Sequence, residues 1–111
     1  MEILDFYEND ICRIVPVGRI DTVSASEFQN QTIALMADKN KCAIDFSKVN
    51  YISSAGLRSI LLITKEISKK KGNLVIFAMS ESIKEIFVMS GFSSIIKIVN
   101  SMEDVISEFN K

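Results

Sequence analysis

The chain has 111 residues, 48% hydrophobic and 24% charged, with a formal net charge of -1, which predicts one soluble globular domain over residues 1–111. Near-neutral charge excludes a nucleic-acid footprint, and no apolar run approaches the roughly 20 residues of a membrane span; with no leader pattern after Met1, the reading is cytoplasmic. The absence of histidine and the presence of only Cys12 and Cys42 exclude a Cys/His zinc site and every histidine-based catalytic arrangement.

Glu2–Tyr7 and Ile11–Val17 predict two strands joined as a hairpin through the turn Glu8-Asn9-Asp10. Pro16 cannot donate to a ladder, so its strand is expected near an edge or near its own end. Gly18 is read as breaking that strand, with Arg19-Ile20-Asp21-Thr22 as a loop. Ser24 followed by Glu27 forms a capping-box pattern that opens a helix to about Ala37, with Phe28, Ile33, Leu35 and Met36 among its apolar positions. A loop over Asp38–Lys41 returns the chain to a strand at Cys42–Phe46. The two cysteines both lie in apolar strand signals and read as small hydrophobes rather than as a disulfide.

From Ser54 to Lys71, Leu57, Ile60, Leu61, Thr64 and Ile67 follow helical spacing, with Leu62 and Ile63 partly off that stripe. Lys69-Lys70-Lys71 suits the negative end of the helix dipole and reads as a solvated end, with Gly72 as the stop. Leu74–Met79 is a continuous apolar strand, expected to be buried on both faces. Ser80 caps a helix carrying Ile83, Ile86 and Phe87 and ended by Gly91. Ile95–Val99 is the last strand, and Ser101 opens a final helix through Phe109. The order β-β-α-β-α-β-α-β-α predicts the α/β class, with a mixed sheet covered by helices.

The chemistry concentrates at Ser53 and Ser54, adjacent hydroxyls where a helix must start. A helix start has unpaired N–H groups and partial positive charge, so a serine there serves as a cap and tolerates a phosphate. Tyr51-Ile52 before the pair is read as fixing the turn against the core. Ala55-Gly56 after it leaves the hydroxyls open and lets another backbone approach. Strand ends in open α/β sheets commonly form the functional rim, and Asp21, Asp45 and Ser54 are candidates for one such rim. The plainer alternative is that Asp21 opens a turn and Asp45 accepts local backbone N–H groups. No glycine-rich phosphate loop ending in Lys-Ser/Thr is present, which argues against a P-loop kinase.

The run from Asp45 to Leu57 resembles the signature of the STAS family, the anti-sigma-factor antagonists and their relatives. On that pattern Asp45 is the strand-end acid, Ser54 the phosphoacceptor, Gly56 the glycine and Leu57 the first core residue of the helix. Ser53 stands where many members carry Asp, and Ala55 where many carry a second Ser. The similarity also takes in Gly18-Arg19-Ile20-Asp21, and it implies the same order of elements. It implies a non-enzymatic protein that, unphosphorylated, binds an anti-sigma factor, often itself a serine kinase. Phosphorylation of Ser54 ends that grip and a serine phosphatase restores it. Asp21, Asp45, Ser53, Ser54, Gly56 and Arg58 are then the partner-binding residues, with no cofactor and no metal. The same resemblance leaves a second role open, an interaction module in a transporter, a lipid-trafficking system or a stress-sensing complex. An aspartyl-phosphate receiver with Asp45 as acceptor is disfavoured, because Asp5 and Asp10 do not assemble its acidic metal-binding cluster.

Overall fold

A computed structural model describes residues 1–111. β1 (Glu2–Glu8) and β2 (Ile11–Ile20) form the expected antiparallel hairpin, with Glu8 opposite Ile11. Asn9 and Asp10 are the two-residue turn, and their positive φ values of 53 and 66 are what a tight hairpin requires and what these residue types tolerate. Then follow α1 (Ala25–Leu35), β3 (Lys41–Asp45), β4 (Val49–Ile52), α2 (Ser54–Lys69), β5 (Asn73–Phe77) and α3 (Glu81–Met89). A short 3-10 turn at Phe92–Ser94 leads into β6 (Lys97–Val99) and α4 (Met102–Phe109). The sheet order is β1-β2-β3-β5-β6, with β4 also paired to β2, and every pairing except β1–β2 is parallel. The mixed α/β sheet is as expected, with one strand more.

Strand alternation divides the core in two. Cys12, Ile14, Cys42, Ile44, Leu74 and Ile76 face the larger cluster, which takes Phe28 from α1, Met36 from the residue that ends it, Ile60, Ile63 and Ile67 from α2, and Phe87 from α3. Ile11, Ala43, Val75 and Phe77 face the other way, onto Val105 of α4. This is why the central strands read as unbroken apolar runs. Ser80 and Ser101 cap their helices as expected, accepting from the N–H groups of Ile83 at 3.3 Å and Asp104 at 3.2 Å.

Three expectations about β2 and its neighbour are corrected. The strand does not break at Gly18; it continues to Ile20, and Gly18, at φ 103, marks a register shift in its pairing with β4. Nor does Pro16 mark the end of its strand, and β2, though next to the edge strand β1, is not itself an edge, because it pairs with β1 on one side and with β3 and β4 on the other. The missing N–H of Pro16 falls in a gap: β2 pairs with β3 as far as Ile14 and with β4 only from Gly18, whose N–H donates to the Lys48 carbonyl at 2.8 Å. The segment Val49–Ile52, for which the sequence predicts no strand and in which Tyr51-Ile52 is read as fixing a turn, is β4 itself. Phe46 anchors the step between β3 and β4, fully buried, with its N–H on the Phe77 carbonyl at 2.9 Å and its ring edge-on to Phe87 at 6.1 Å.

Helix starts and stripes also differ in detail. Ser24 makes no side-chain cap bond to α1, and Glu27 pairs instead with the amino group of Met1. In α2 the buried residues are Gly56, Ser59, Ile60, Ile63 and Ile67, so Ile63 belongs to the core while Leu57, Leu61 and Thr64 are half-buried. The cause is α1, packed along α2, where the buried Ser59 hydroxyl donates to the Ala25 carbonyl at 3.0 Å. After β5, Ala78 holds a φ of 63, the left-handed region that a Cβ disfavours. Ala78→Gly is therefore expected to stabilise the fold by about 0.5–1 kcal/mol. A urea titration checks it, and a lower midpoint would mean that the methyl's packing outweighs the backbone strain.

Candidate functional site

β2 and β4 end side by side, with Ile20 opposite Ile52, and the chain leaves them through Asp21 and Ser53. The Ser53 N–H donates to the Ile20 carbonyl at 2.9 Å, so this rim is tied together by backbone. Ser53 is the N-cap of α2: its φ of -95 and ψ of 176 are extended, and its hydroxyl accepts from the Gly56 N–H at 3.2 Å. Ser54 is the first helical residue, and its side chain is exposed and takes no part in the cap. The two serines thus divide the roles the sequence offers: one closes the helix, the other presents a free hydroxyl beside the positive end of the dipole.

The loop opposite is held by Asp21. Its carboxylate accepts the N–H groups of Val23 at 3.1 Å and Ser24 at 3.0 Å, while the Ser24 hydroxyl donates to the Arg19 carbonyl at 2.7 Å. Asp21 is therefore the organiser of the turn into α1, the place the sequence assigns to Ser24. Its carboxyl is held below the ordinary range, first by the Ser24 N–H, with smaller help from the Ser24 hydroxyl, the Val23 N–H and Arg19. A depressed pKa means the charged form contributes stability at neutral pH, and that contribution is lost as the pH falls through the folded value. A carboxyl NMR titration should find the Asp21 midpoint below that of an ordinary aspartate; a midpoint at or above it would contradict the turn geometry.

Arg19 and Tyr51 complete the rim. The guanidinium carbon lies 4.2 Å from the centre of the Tyr51 ring, and Nε is 3.6 Å from Asp21 Oδ2. Tyr51 does not fix the turn against the core as expected; Ile52 does so, and Tyr51 points out at 40% exposure. Beside Ser54, Thr22, Ser26 and Gln29 face Ala55, Arg58 and Leu62 across an open groove of about 210 Å³ between α1 and α2. Arg58 is exposed, and no carboxylate pairs with it. Val23 stands next to this groove with 90% of its surface in water. Of these residues only Arg58 was singled out from sequence as a site residue. The signal that points to the rest is the apolar Val23 in an otherwise polar loop.

Two predicted residues sit elsewhere than expected. Gly56 is buried, and the close approach it allows is internal: a Cβ there would meet Ile52 Cγ1 at 2.7 Å and the Ile20 carbonyl oxygen at 2.8 Å. Asp45 does not share the rim of Asp21 and Ser54. Ile44 pairs with Ile14 whereas Ile52 pairs with Ile20, so Asp45 lies roughly 15–20 Å back along β2. There it is 7% exposed, accepting from the Ser47 N–H at 2.9 Å with Arg13 at 3.8 Å, which is the local role of the plainer alternative. No three of His, Cys, Asp and Glu gather into a metal-sized cluster, and no helix is long and apolar enough to cross a membrane.

Comparison with known proteins agrees with this architecture. A family model described as STAS domain matches residues 5–105. BtrV of Bordetella bronchiseptica, named as an anti-sigma factor antagonist, is 33% identical over 94 residues, covering 83% of this chain and 80% of that protein. The crystal structure of a Thermotoga maritima protein described as an anti-sigma factor antagonist superposes with a TM-score of 0.92 at 20% identity, over 98% of this chain and 95% of that one. The Bacillus protein SpoIIAA, solved in a phosphorylated form, superposes with a TM-score of 0.71 at 12% identity, over 99% and 100% of the two chains. Likenesses at such identities speak for the fold, whereas the family model spans nearly the whole chain. The chain belongs to the STAS domain family, among relatives named as anti-sigma factor antagonists.

Proposed function

We propose that the unphosphorylated chain binds an anti-sigma factor that is itself a serine kinase, and that phosphorylation of Ser54 ends this complex until a serine phosphatase restores it. The observation that carries the reading is the division of labour at the start of α2: Ser53 is consumed by the cap, while Ser54 is exposed and free to react. The docking surface comprises Asp21, Ser53, Ser54 and Arg58, extended by Arg19 and Tyr51. Gly56 and Asp45 serve it from inside the fold, Gly56 by seating α2 and Asp45 by tying the turn before β4. The protein acts as a binding surface rather than as a catalyst.

A phosphoserine adds roughly -1.5 to -2 charges, and the first turn of a helix favours them. The helix is therefore expected to survive, and the cost falls on the partner, which must desolvate a dianion where it met a neutral hydroxyl. A pull-down from cells that compares Ser54→Ala with Ser54→Asp, together with phosphate mapping after incubation with the captured kinase and ATP, tests both halves. Capture of an anti-sigma factor by the Ala variant alone, with the phosphate on Ser54, is the expected result. Labelling that persists in Ser54→Ala overturns the assignment. No phosphorylation, with a membrane transport component in the eluate, favours the other STAS role.

A further inference from the structure

Cys12 and Cys42 occupy directly paired positions on the parallel strands β2 and β3. Both are free thiols, 1% and 0% exposed, in the core layer beneath α1 and α2. Paired residues on neighbouring strands point to the same face, and the strands lie about 4.8 Å apart, inside the roughly 4.4–6.8 Å of Cα separation that a disulfide spans. Neither thiol has a part in the docking surface at the far end of β2.

We propose that Cys12 and Cys42 are a redox couple, closed into an intrachain disulfide when a small hydroperoxide reaches the core. The Cys12 thiolate attacks one oxygen of the peroxide, and the O–O bond breaks. Cys12 becomes a sulfenic acid, and the other oxygen takes a proton and leaves as water from hydrogen peroxide or as the alcohol from an organic hydroperoxide. The Cys42 sulfur then attacks the sulfenic sulfur as its proton passes to the departing oxygen; the S–S bond forms, the S–O bond breaks, and water leaves. The two thiols lose two electrons in total, and the peroxide gains them. The order follows from the inequality of the pair. Cys12 is held below the ordinary thiol range chiefly by its hydrogen bond with Cys42, and Cys42 is pushed up by the same pairing and by burial.

The bond has a structural consequence. The Cβ atoms of a disulfide lie about 3.8 Å apart, closer than side chains that stand parallel on neighbouring strands, so closing it tilts the two Cβ atoms toward each other and leaves a bond that reductants open readily. It also removes the thiol proton that Cys12 directs at the Leu35 carbonyl, 3.9 Å away at the end of α1. Oxidation in the core is thereby felt by α1, one wall of the groove beside Ser54. The couple stands independently of any phosphorylation there.

The test treats the full chain with hydrogen peroxide and measures its mass after denaturation. The expected product has lost two hydrogens, yields a linked Cys12–Cys42 peptide and regains its mass with dithiothreitol. Dimedone, a sulfenic-acid trap, should label the wild-type chain, where both thiols are present, at Cys12 rather than Cys42, and Cys12→Ala or Cys42→Ala should each abolish the loss of two hydrogens. Alanine avoids leaving an unpaired hydroxyl in the core. If either variant fails to fold, the wild-type mass decides alone. Two free thiols at a peroxide dose that has already oxidised Met89, 86% exposed, would overturn the couple, and so would bridges found only between chains.

Discussion

Ser54→Asp is expected to weaken binding of the anti-sigma factor about a hundredfold, close to 2.7 kcal/mol, while Ser54→Ala stays within a few-fold of wild type. The asymmetry follows from what the hydroxyl does in the free protein. It is exposed and contributes nothing to the cap, which Ser53 supplies to the Gly56 N–H. Removing it leaves α2 intact, and a carboxylate in the first helical turn adds roughly 0.3–1 kcal/mol of favourable dipole interaction. The Asp variant should therefore melt no lower than wild type, so that any lost affinity belongs to the interface. The cause is desolvation of a charge against a surface shaped for a neutral group. Salt separates this from long-range repulsion, because at about 1 M the Debye length is only ~3 Å. Calorimetric titration in low and high salt should find the loss in both. An Asp variant that binds like wild type, or whose affinity returns with salt, would remove Ser54 from the centre of the switch.

Features written in contiguous residues were legible before the fold was known. The Asn9-Asp10 turn, the caps at Ser80 and Ser101 and the exposed Ser54 at a helix start each depend on a few neighbouring side chains and backbone groups. β4 was illegible for a physical reason. Its four residues run buried, exposed, exposed, buried, which matches neither alternation nor an apolar run, and the strand exists because β2 offers an open edge beyond the end of β3. Missing β4 hid the rest of the site: Tyr51 appeared as a core residue, its pairing with Arg19 was invisible, and Asp45 fell on the wrong level of the sheet. Ser24 and Glu27 fit the capping box, yet the Ser24 hydroxyl accepts from the Asp21 N–H and donates to the Arg19 carbonyl, so it turns back onto the loop rather than onto the helix N–H groups. The α2 stripe was displaced by α1, whose hydrogen bond to the buried Ser59 turns Ile63 inward. Local chemistry identified the exposed hydroxyl at the helix start; which residues surround it depended on strand register.

Gly56→Ala is expected to destabilise the fold by about 2 kcal/mol, within the 1–3 kcal/mol typical of overpacking, and to lower the melting temperature by roughly 6–10 °C. Alanine is ordinarily the better helix former by up to about 1 kcal/mol, so the sign depends on whether the surroundings yield. Two of the three nearest atoms are the side-chain carbons Ile52 Cγ1 at 2.7 Å and Ile20 Cγ2 at 2.8 Å, each one bond from Cβ on a buried β-branched side chain that cannot turn without repacking the core. The third is the Ile20 carbonyl oxygen at 2.8 Å, which accepts from the Ser53 N–H and so holds β2, β4 and the start of α2 together. That oxygen cannot retreat without loosening the bond that sets the position of Ser53 and hence of Ser54. The added methyl should therefore push α2 away from the sheet at the very turn that carries Ser53 and Ser54. Partner binding is expected to weaken along with stability, unlike Ser54→Asp, which lowers binding alone. Ala55→Gly, one position earlier and only half-buried, is the control: it should cost at most about 1 kcal/mol and leave binding unchanged. Should Gly56→Ala melt like wild type while Ala55→Gly falls, the contact of α2 with β2 is softer than 2.8 Å implies, and the seat of Ser54 does not rest on Gly56.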